Sequence, residues 1–375
     1  MPSYEDLETR IIDAGECTVC GACIVACPSS HVKFIEGRPR RCKRAMDCVG
    51  CAICYEACYM LRHNLIKDIE GETIGRGQRE SIGLYRRVVV ARTTGRGIAD
   101  SSQDGGVVTA LLLYGLDSGI MDGALVVGRD GWAPTAYVAR TRDEVIGAAG
   151  TKYGVVPVLS TLREAVVEHG LSRIWMVGSP CHVQSMRYLK HKGLPLATSV
   201  KLMVGLFCRE NYEYACMEGV VRTHGIEMSQ VHRFEVYDTF NICVDGGKRS
   251  LPITEMKSCV PRHCLVCRDF AAELADIAVG SSGSSGGRST VVIRSQEGDK
   301  VVAAMEKLGL IKTEDTGYNP EIGEIAERKS EKGKQTLDII RLSEKGVDRR
   351  EIAAKLGITE ERVSHRLDGI YRRVS

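Results

Sequence analysis

Two cysteine runs of one pattern stand near the start of the chain: Cys17-x2-Cys20-x2-Cys23-x3-Cys27-Pro28 and Cys48-x2-Cys51-x2-Cys54-x3-Cys58. That spacing is written for a pair of 4Fe-4S cubanes, in which three thiolates of a run hold one cluster and the fourth reaches across to the other. Neither run is complete alone, so the segment must fold to bring both together. A zinc site is the rival reading. Zinc prefers two separated CxxC pairs and needs no proline after the last ligand, so the doubled runs favour iron and sulfur. Two adjacent clusters imply electrons moving one at a time.

The chain has 375 residues, enough for two or three domains, each with its own core. Its 16 cysteines follow an N-terminus, Met1-Pro2-Ser3-Tyr4-Glu5-Asp6, that lacks the basic-then-apolar order of an export signal. A cytoplasmic protein is expected, able to sit peripherally on a membrane complex, with reduced thiols that serve metal rather than a disulfide framework. No apolar run nears the length of a membrane span. The net charge of +3 is too small and too evenly mixed to make the whole chain a polyanion binder.

The pattern of elements predicts a mixed α+β and α/β chain. Residues 1–70 read as a bacterial-type 2x[4Fe-4S] ferredoxin-like domain, with a strand over His31–Ile35 between the runs. Residues 71–84, rich in glycine, read as a linker. From 85 to 310, strand and helix patterns alternate: strands at Arg87–Ala91, Gly123–Gly128, Arg173–Val177 and Lys201–Phe207, and helices at Gly106–Leu116, Leu162–His169 and Val183–Leu189. This is a central α/β domain with a mixed, partly parallel sheet. The Ser281–Gly287 run is either a flexible linker or a loop inside the sheet, and the apolar strands Ile277–Gly280 and Thr290–Ile293 around it favour the loop. A second linker is expected over 311–335. Helices at Thr336–Lys345, Asp348–Leu356 and Thr359–Arg372 then form a small C-terminal helix-turn-helix over 336–375. Arg362, His365, Arg366, Arg372 and Arg373 offer phosphate contacts, but Glu344, Glu351, Glu360 and Glu361 count against DNA, so a docking module is the expectation and nucleic acid is not an expected partner.

Four further cysteines have plausible chemistry: Cys181, Cys208 at a strand end, and the pair Cys264-x2-Cys267. Together they offer four thiolates, two of them at strand ends on the side where α/β sheets collect ligands and two in a CxxC that can grip one metal edge. Cys216, Cys243 and Cys259 lack paired spacing and read as buried structural residues, and Cys42 stays open between a spare thiol and a cluster neighbour. Gly105 and Gly106 before an apolar helix suit a close approach to a phosphate. Lys152, between Thr151 and Tyr153, reads as a cation for a ligand or as a solvated loop lysine. Glu273 and Asp276, spaced for one helix face, read as ligand contacts or as cap and ion-pair residues.

In order along the chain, Ser101-Ser102-Gln103-Asp104-Gly105-Gly106-Val107-Val108-Thr109-Ala110-Leu111-Leu112, Gly150-Thr151-Lys152-Tyr153, Gly178-Ser179-Pro180-Cys181, Gly205-Leu206-Phe207-Cys208 and Cys264-x2-Cys267-x-Asp269-Phe270 resemble the beta subunit family of coenzyme F420 hydrogenases and dehydrogenases. The resemblance spans roughly residues 85–310. It implies an FAD-binding domain that exchanges a hydride with the deazaflavin coenzyme F420 and carries a further 4Fe-4S cluster beside the flavin, for three clusters in all. Cluster ligands then fall on Cys181, Cys208, Cys264 and Cys267, and flavin contacts on Gly105, Gly106, Val107, Thr109, Thr151, Lys152 and Tyr153, with no side chain carrying the hydride itself. Relatives often have glutamine where this chain has His182, and Gly-Trp where it has Gly287-Arg288. Arg288 is therefore expected to select an anionic substrate. The implied function is an F420-dependent oxidoreductase relaying single electrons to a partner: a hydrogenase, formate dehydrogenase or heterodisulfide reductase subunit, a membrane dehydrogenase, or ferredoxin. A ferredoxin-linked flavin reductase of another substrate and a redox-sensing regulator are the alternatives.

Overall fold

The computed structural model describes residues 2–42, 48, 50–61, 66–75 and 77–371. The cysteine-rich start is made of short elements: α1 (Tyr4–Leu7), α2 (Ala22–Ala26), the antiparallel hairpin β1 (Val32–Ile35) and β2 (Arg38–Arg41), and α3 (Ile53–Glu56). Gly21 opens α2 at φ 91°, and a Cβ there would lie 2.6 Å from the Ser160 nitrogen, so only glycine fits this seam. The seam is hydrogen-bonded as well: Leu159 N donates to the Cys20 carbonyl at 2.9 Å, and Arg163 Nη2 donates to the Cys27 carbonyl at 2.7 Å. One apolar core runs from Leu7 and Ile12 through Val158 and Leu159 to Val183 and Phe270. The cysteine module is thus packed onto the body.

Residues 71–84 are not a free linker. They hold the end of α4 (Ile66–Ile74) and the ribbon β3 (Gln78–Glu80) and β4 (Gly83–Tyr85). Ile69 and Ile74 are buried, and buried Glu70 accepts from Leu84 N at 3.1 Å and from Arg79 at 2.7 Å. Those contacts outweigh the turn tendency of the glycines.

The body is built from β5 (Arg87–Thr93), α5 (Arg96–Ser101), α6 (Val107–Asp117), β6 (Gly123–Asp130), β7 (Ala133–Ala139), α7 (Arg142–Gly147), β8 (Ile174–Gly178), α8 (Pro180–His191) and β9 (Val200–Leu206). An excursion follows, with α9 (Tyr214–Thr223), the meander β10 (Val231–Val236), β11 (Thr239–Val244) and β12 (Gly247–Pro252), and α10 (Arg262–Val266). The chain returns through β13 (Ile277–Gly280), β14 (Ser289–Ile293), α11 (Gln296–Lys307) and β15 (Ile311–Asp315). The sheet order is β15-β5-β14-β13-β9-β8-β6-β7. β6, β8, β9 and β13 run parallel, while β7 and β14 are antiparallel to their neighbours. β8 and β9 are almost wholly buried, as expected of a sheet covered on both faces. The Ser281–Gly287 run is the connection between β13 and β14. Glu273 and Asp276 lie on a turn before β13 rather than on a helix. Asp276 is a buried anchor that pairs with Arg187 at 2.9 Å and accepts from Met203 N at 2.7 Å.

The second expected linker, 311–335, is also structured. Ile311 is buried as β15 pairs with β5, and Asn319 then caps a helix that opens with proline, α12 (Pro320–Glu344). Ile322, Ile325, Ala326, Gly333, Ile339 and Ile340 are buried at helical spacing, so the helix expected at Thr336–Lys345 is the far end of this longer one. Asp348 caps α13 (Arg349–Leu356), and α14 (Glu360–Tyr371) completes three helices around Ile339, Ile352, Val363 and Leu367. One disulfide, Cys216–Cys259, corrects the expectation of unpaired thiols: both residues belong to the core under the meander, and their Cα atoms stand 5.3 Å apart, within bridging range.

Candidate functional site

The structure gathers the N-terminal cysteines into two sets. Cys17, Cys20, Cys23 and Cys58 line one small cavity with Leu7, Ile12 and Met60. Burial pushes the Cys23 thiol up, and so do the thiols of Cys17, Cys20, Cys58 and Cys54 around it. Burial likewise raises Cys54, to about 11, with the thiols of Cys27 and Cys51 adding to it. His31 joins Cys27 to Cys48: its backbone N–H donates to Cys27 Sγ at 3.2 Å, and its Nδ1 lies 3.4 Å from Cys48 Sγ. The last cysteine of each run therefore sits with the other run. Cys42 N donates to the His31 carbonyl, which puts Cys42 next to the second set.

A third set forms where the sheet ends. Cys181 lies in the first turn of α8 after β8, Cys208 just beyond β9, and Cys264 and Cys267 on α10 and its C-cap. The Cys181 thiol is raised by burial and by the thiols of Cys208, Cys267 and Cys264. Among the described residues no three His, Cys, Asp or Glu side chains close round a single metal ion. A cubane does not ask for that, because its four thiolates bind four different irons and stand farther apart. Burial raises the Tyr59 hydroxyl, and so do the nearby thiols of Cys181, Cys20 and Cys267, so the first set and the third are neighbours.

Beside the third set is a cavity of about 950 Å³, near the top of the usual range for ligand sites. Gly106, Val107, Thr109, Thr151, Lys152 and Tyr153 line it together with Cys208, Cys264 and Cys267. Gly106 is the left-handed N-cap of α6 at φ 68°, which leaves the first amides of the helix without carbonyl partners of its own. Gly105 turns away instead: a Cβ on it would lie 2.6 Å from the Ala91 carbonyl and 2.7 Å from Ser289 N, so it serves the packing of β5 on β14. Lys152 is neither a solvated lysine nor a free cation. Its Nζ donates to the carbonyls of Ala148, Ala149 and Gly150 at 2.5, 2.9 and 2.8 Å, and burial pushes it down to about 7. It shapes the wall after α7, where Tyr153 takes a positive φ of 52° and accepts from Val236 N. Gln103 Oε1 is buried in this wall with no partner, an acceptor that a ligand donor would satisfy. An apolar cavity with a glycine-capped helix start, an orphaned acceptor and thiols at one end fits a flavin dinucleotide beside a cluster.

Residues 88–163 match the amino-terminal part, and residues 171–317 the carboxy-terminal part, of the family described as "Coenzyme F420 hydrogenase/dehydrogenase, beta subunit". The coenzyme F420 hydrogenase subunit beta of Methanothermobacter thermautotrophicus is 36% identical over 62% of this chain and 85% of its own length. The chain belongs to the coenzyme F420 hydrogenase/dehydrogenase beta subunit family. Its members include F420-dependent oxidoreductases. A subunit in the structure of the F420-reducing [NiFe] hydrogenase complex from Methanosarcina barkeri shares the fold, with a TM-score of 0.66 and 31% identity over 68% of this chain and 92% of that one. The coenzyme F420-dependent sulfite reductase of Methanocaldococcus jannaschii is 32% identical over 81% of this chain, which spans 48% of that longer protein.

The position after Cys181, where the resemblance led to an expectation of glutamine, holds His182. The ring is buried beside Cys181. Its Nδ1 accepts from Ser179 N at 3.2 Å, so its Nε2 carries the proton and donates to the Val156 carbonyl at 2.9 Å. Burial holds it down at about 4, that is, neutral. A glutamine can supply the same acceptor and donor. His182→Leu is expected to lose about 1–3 kcal/mol of stability by stranding both partners, whereas His182→Gln keeps most of it; thermal unfolding of the two variants checks this.

Arg288, expected at the substrate, is not at the cavity. It pairs with Glu314 at 3.1 Å and donates to the Ser285 carbonyl. The cations that line the cavity besides Lys152 are Arg209, Arg328, Lys332 and Lys329, whose ammonium is buried, three of them on α12 and beyond the family match. Gly333 explains how α12 comes so close: a Cβ there would lie 2.7 Å from the Cys267 carbonyl. One turn earlier, Lys329 Nζ donates to the Cys208 carbonyl at 2.5 Å. Sequence reading missed these residues because it placed them in a linker. The only signal was the helical spacing of Ile322, Ile325 and Ala326. Of the basic residues that offer phosphate contacts, Arg366 turns inward to Thr336 at 3.0 Å, and Arg372 and Arg373 lie outside the described residues. No described helix is long and apolar enough to cross a membrane.

Proposed function

We propose that the chain exchanges a hydride with coenzyme F420 at FAD held in the 950 Å³ cavity and passes electrons singly through three 4Fe-4S clusters to a partner subunit. The observation that carries this reading is one space lined by both the α6 N-terminus and Cys208, Cys264 and Cys267. Flavin, when bound, supplies the conversion between hydride and single-electron chemistry. The remaining roles belong to the protein. The α6 amides and Gly106 offer an anion cradle, the Lys152 and Tyr153 turn shapes the wall, and Gln103 presents an acceptor. Cys181, Cys208, Cys264 and Cys267 hold the cluster nearest the cavity. Cys17, Cys20, Cys23 and Cys58 follow, and Cys27, Cys48, Cys51 and Cys54 form the outer set that meets the partner. That partner is the electron-transfer subunit of a larger redox complex, or ferredoxin.

The test is anaerobic mixing of the flavin-loaded protein with reduced F420. Bleaching of the flavin absorbance as the deazaflavin absorbance returns is expected. No change in either band would remove F420 and leave a flavin reductase of another substrate.

A further inference from the structure

The cavity mouth is crowded with positive charge that the protein leaves largely unpaired. α12 brings Arg328 and Lys332 to it, and Arg209 comes from the end of β9. The C-terminal helices add more. Arg366 on α14 donates to Thr336 Oγ1 at 3.0 Å, and Thr336 in turn donates to the Lys332 carbonyl at 2.8 Å, which sets the guanidinium one turn from Lys332. Arg362 lies beside Arg366, close enough to push it down along with burial. Lys332 is lowered by burial and by Arg366, Lys257 and Lys329, with Glu210 opposing them.

Like charges drawn together at a cavity rim repel one another unless something anionic joins them. The acids that line the cavity, Asp104, Glu210, Glu321 and Asp238, make no ion pair with Arg328 or Lys332 among the described residues, and Asp238 is already paired with Arg209 at 3.7 Å. Elsewhere on the same helices cations do have carboxylates, as in Arg349 with Asp368, Arg341 with Asp338 and Lys355 with Glu351. Lys332, Arg362 and Arg366 make no ion pair with a carboxylate among the described residues. The contrast lies within one small module, and Lys332, which lines the cavity, is linked to Arg366 through Thr336.

We propose that Arg328, Lys332, Arg362 and Arg366 form a cationic collar that binds the phosphate and carboxylate groups of an extended ligand whose ring enters the cavity. This rests on the reading that the ligand is F420, whose tail carries a phosphodiester and glutamates. The C-terminal helices, which the helix-turn-helix pattern would assign to DNA, then serve as the binding surface for a small polyanion. Multiple weak contacts of this kind add affinity and lose it as salt screens them.

The experiment is a fluorescence titration of the full-length protein with oxidised F420 and with its tail-less deazaflavin riboside, comparing wild type with Lys332→Glu/Arg362→Glu. Both residues are exposed, so the fold should tolerate the change. The expected result is that wild type prefers the tailed ligand, that the variant binds it about tenfold more weakly, and that affinity for the tail-less ligand does not change. Equal weakening for both ligands, or none, would overturn the collar. Wild type that binds both forms equally would overturn it too, while leaving the F420 reading intact. Binding of neither would remove the F420 reading itself. A labelled DNA duplex held by wild type and released by the variant, with no effect of the tail, would assign the cations to nucleic acid and overturn the proposal.

Discussion

Cys264→Ala is expected to lower the iron content from about twelve to about eight per chain, at four irons per cubane, while the bound flavin stays near one. Cys264 and Cys267 come from α10 and its C-cap, whereas Cys181 and Cys208 come from the ends of β8 and β9. Losing one corner leaves three thiolates on three separate supports. The N-terminal sets keep all eight of theirs, so their iron is untouched. Because Tyr59 puts the third set next to Cys20, the loss removes the stepping stone between the cavity and the rest of the path. Electron delivery from reduced F420 to the N-terminal clusters should fall by more than the roughly 10–100-fold that removing an outer partner of a metal ligand costs. Iron analysis and anaerobic stopped-flow absorbance check the two parts separately. Unchanged iron in a folded variant would mean that Cys264 is not a ligand.

Gly106→Val should empty the flavin site and leave the iron in place. The position has φ 68°, which costs a residue with a Cβ about 1–2 kcal/mol. A Cβ there would lie 2.7 Å from Thr93 Cγ2 and 2.9 Å from Ser102 Oγ, adding an overpacking cost of about 1–3 kcal/mol. The strain falls on the first turn of α6, so the amide cradle is displaced or blocked. Flavin per chain is expected to drop from about one to near zero. Gly131→Ala is the control: it has φ 57° with open space around it, so it bears the backbone cost without the clash and should keep its flavin. Ultraviolet-visible spectra of the purified variants decide the matter.

Which parts were legible in the sequence follows from how local each signal is. The cysteine runs, the capped helix α13 and the buried strands β8 and β9 are short-range patterns, and they were readable where they stand. Gly106 was readable because a glycine before an apolar helix has a local reason. Gly105 looked like its twin but serves β5 and β14, elements 12 or more residues away on either side, which no local pattern reveals. Lys152 was visible as a cation, but its three carbonyl partners depend on how α7 ends. The linker expected over 311–335 hid the largest surprise. Its polar content masked a helix whose buried face is Ile322, Ile325, Ala326 and Gly333, and with it Lys329 and the collar. The Cys216–Cys259 pairing depended on the meander core closing over two residues 43 positions apart.

Lys329 sharpens the account of the third set, because its ammonium is held over Cys208 by a bond to that residue's carbonyl. A fixed cation beside a cluster favours the reduced form. Lys329→Met is expected to lower the potential of that cluster alone, as read by redox titration.

The most direct test of the account is an anaerobic titration of the flavin-loaded protein with reduced F420, followed by electron paramagnetic resonance. One hydride carries two electrons, so the account predicts signals from reduced N-terminal clusters in wild type as the deazaflavin is oxidised, and their loss in Cys264→Ala. Flavin bleaching with no cluster signal in wild type would contradict it.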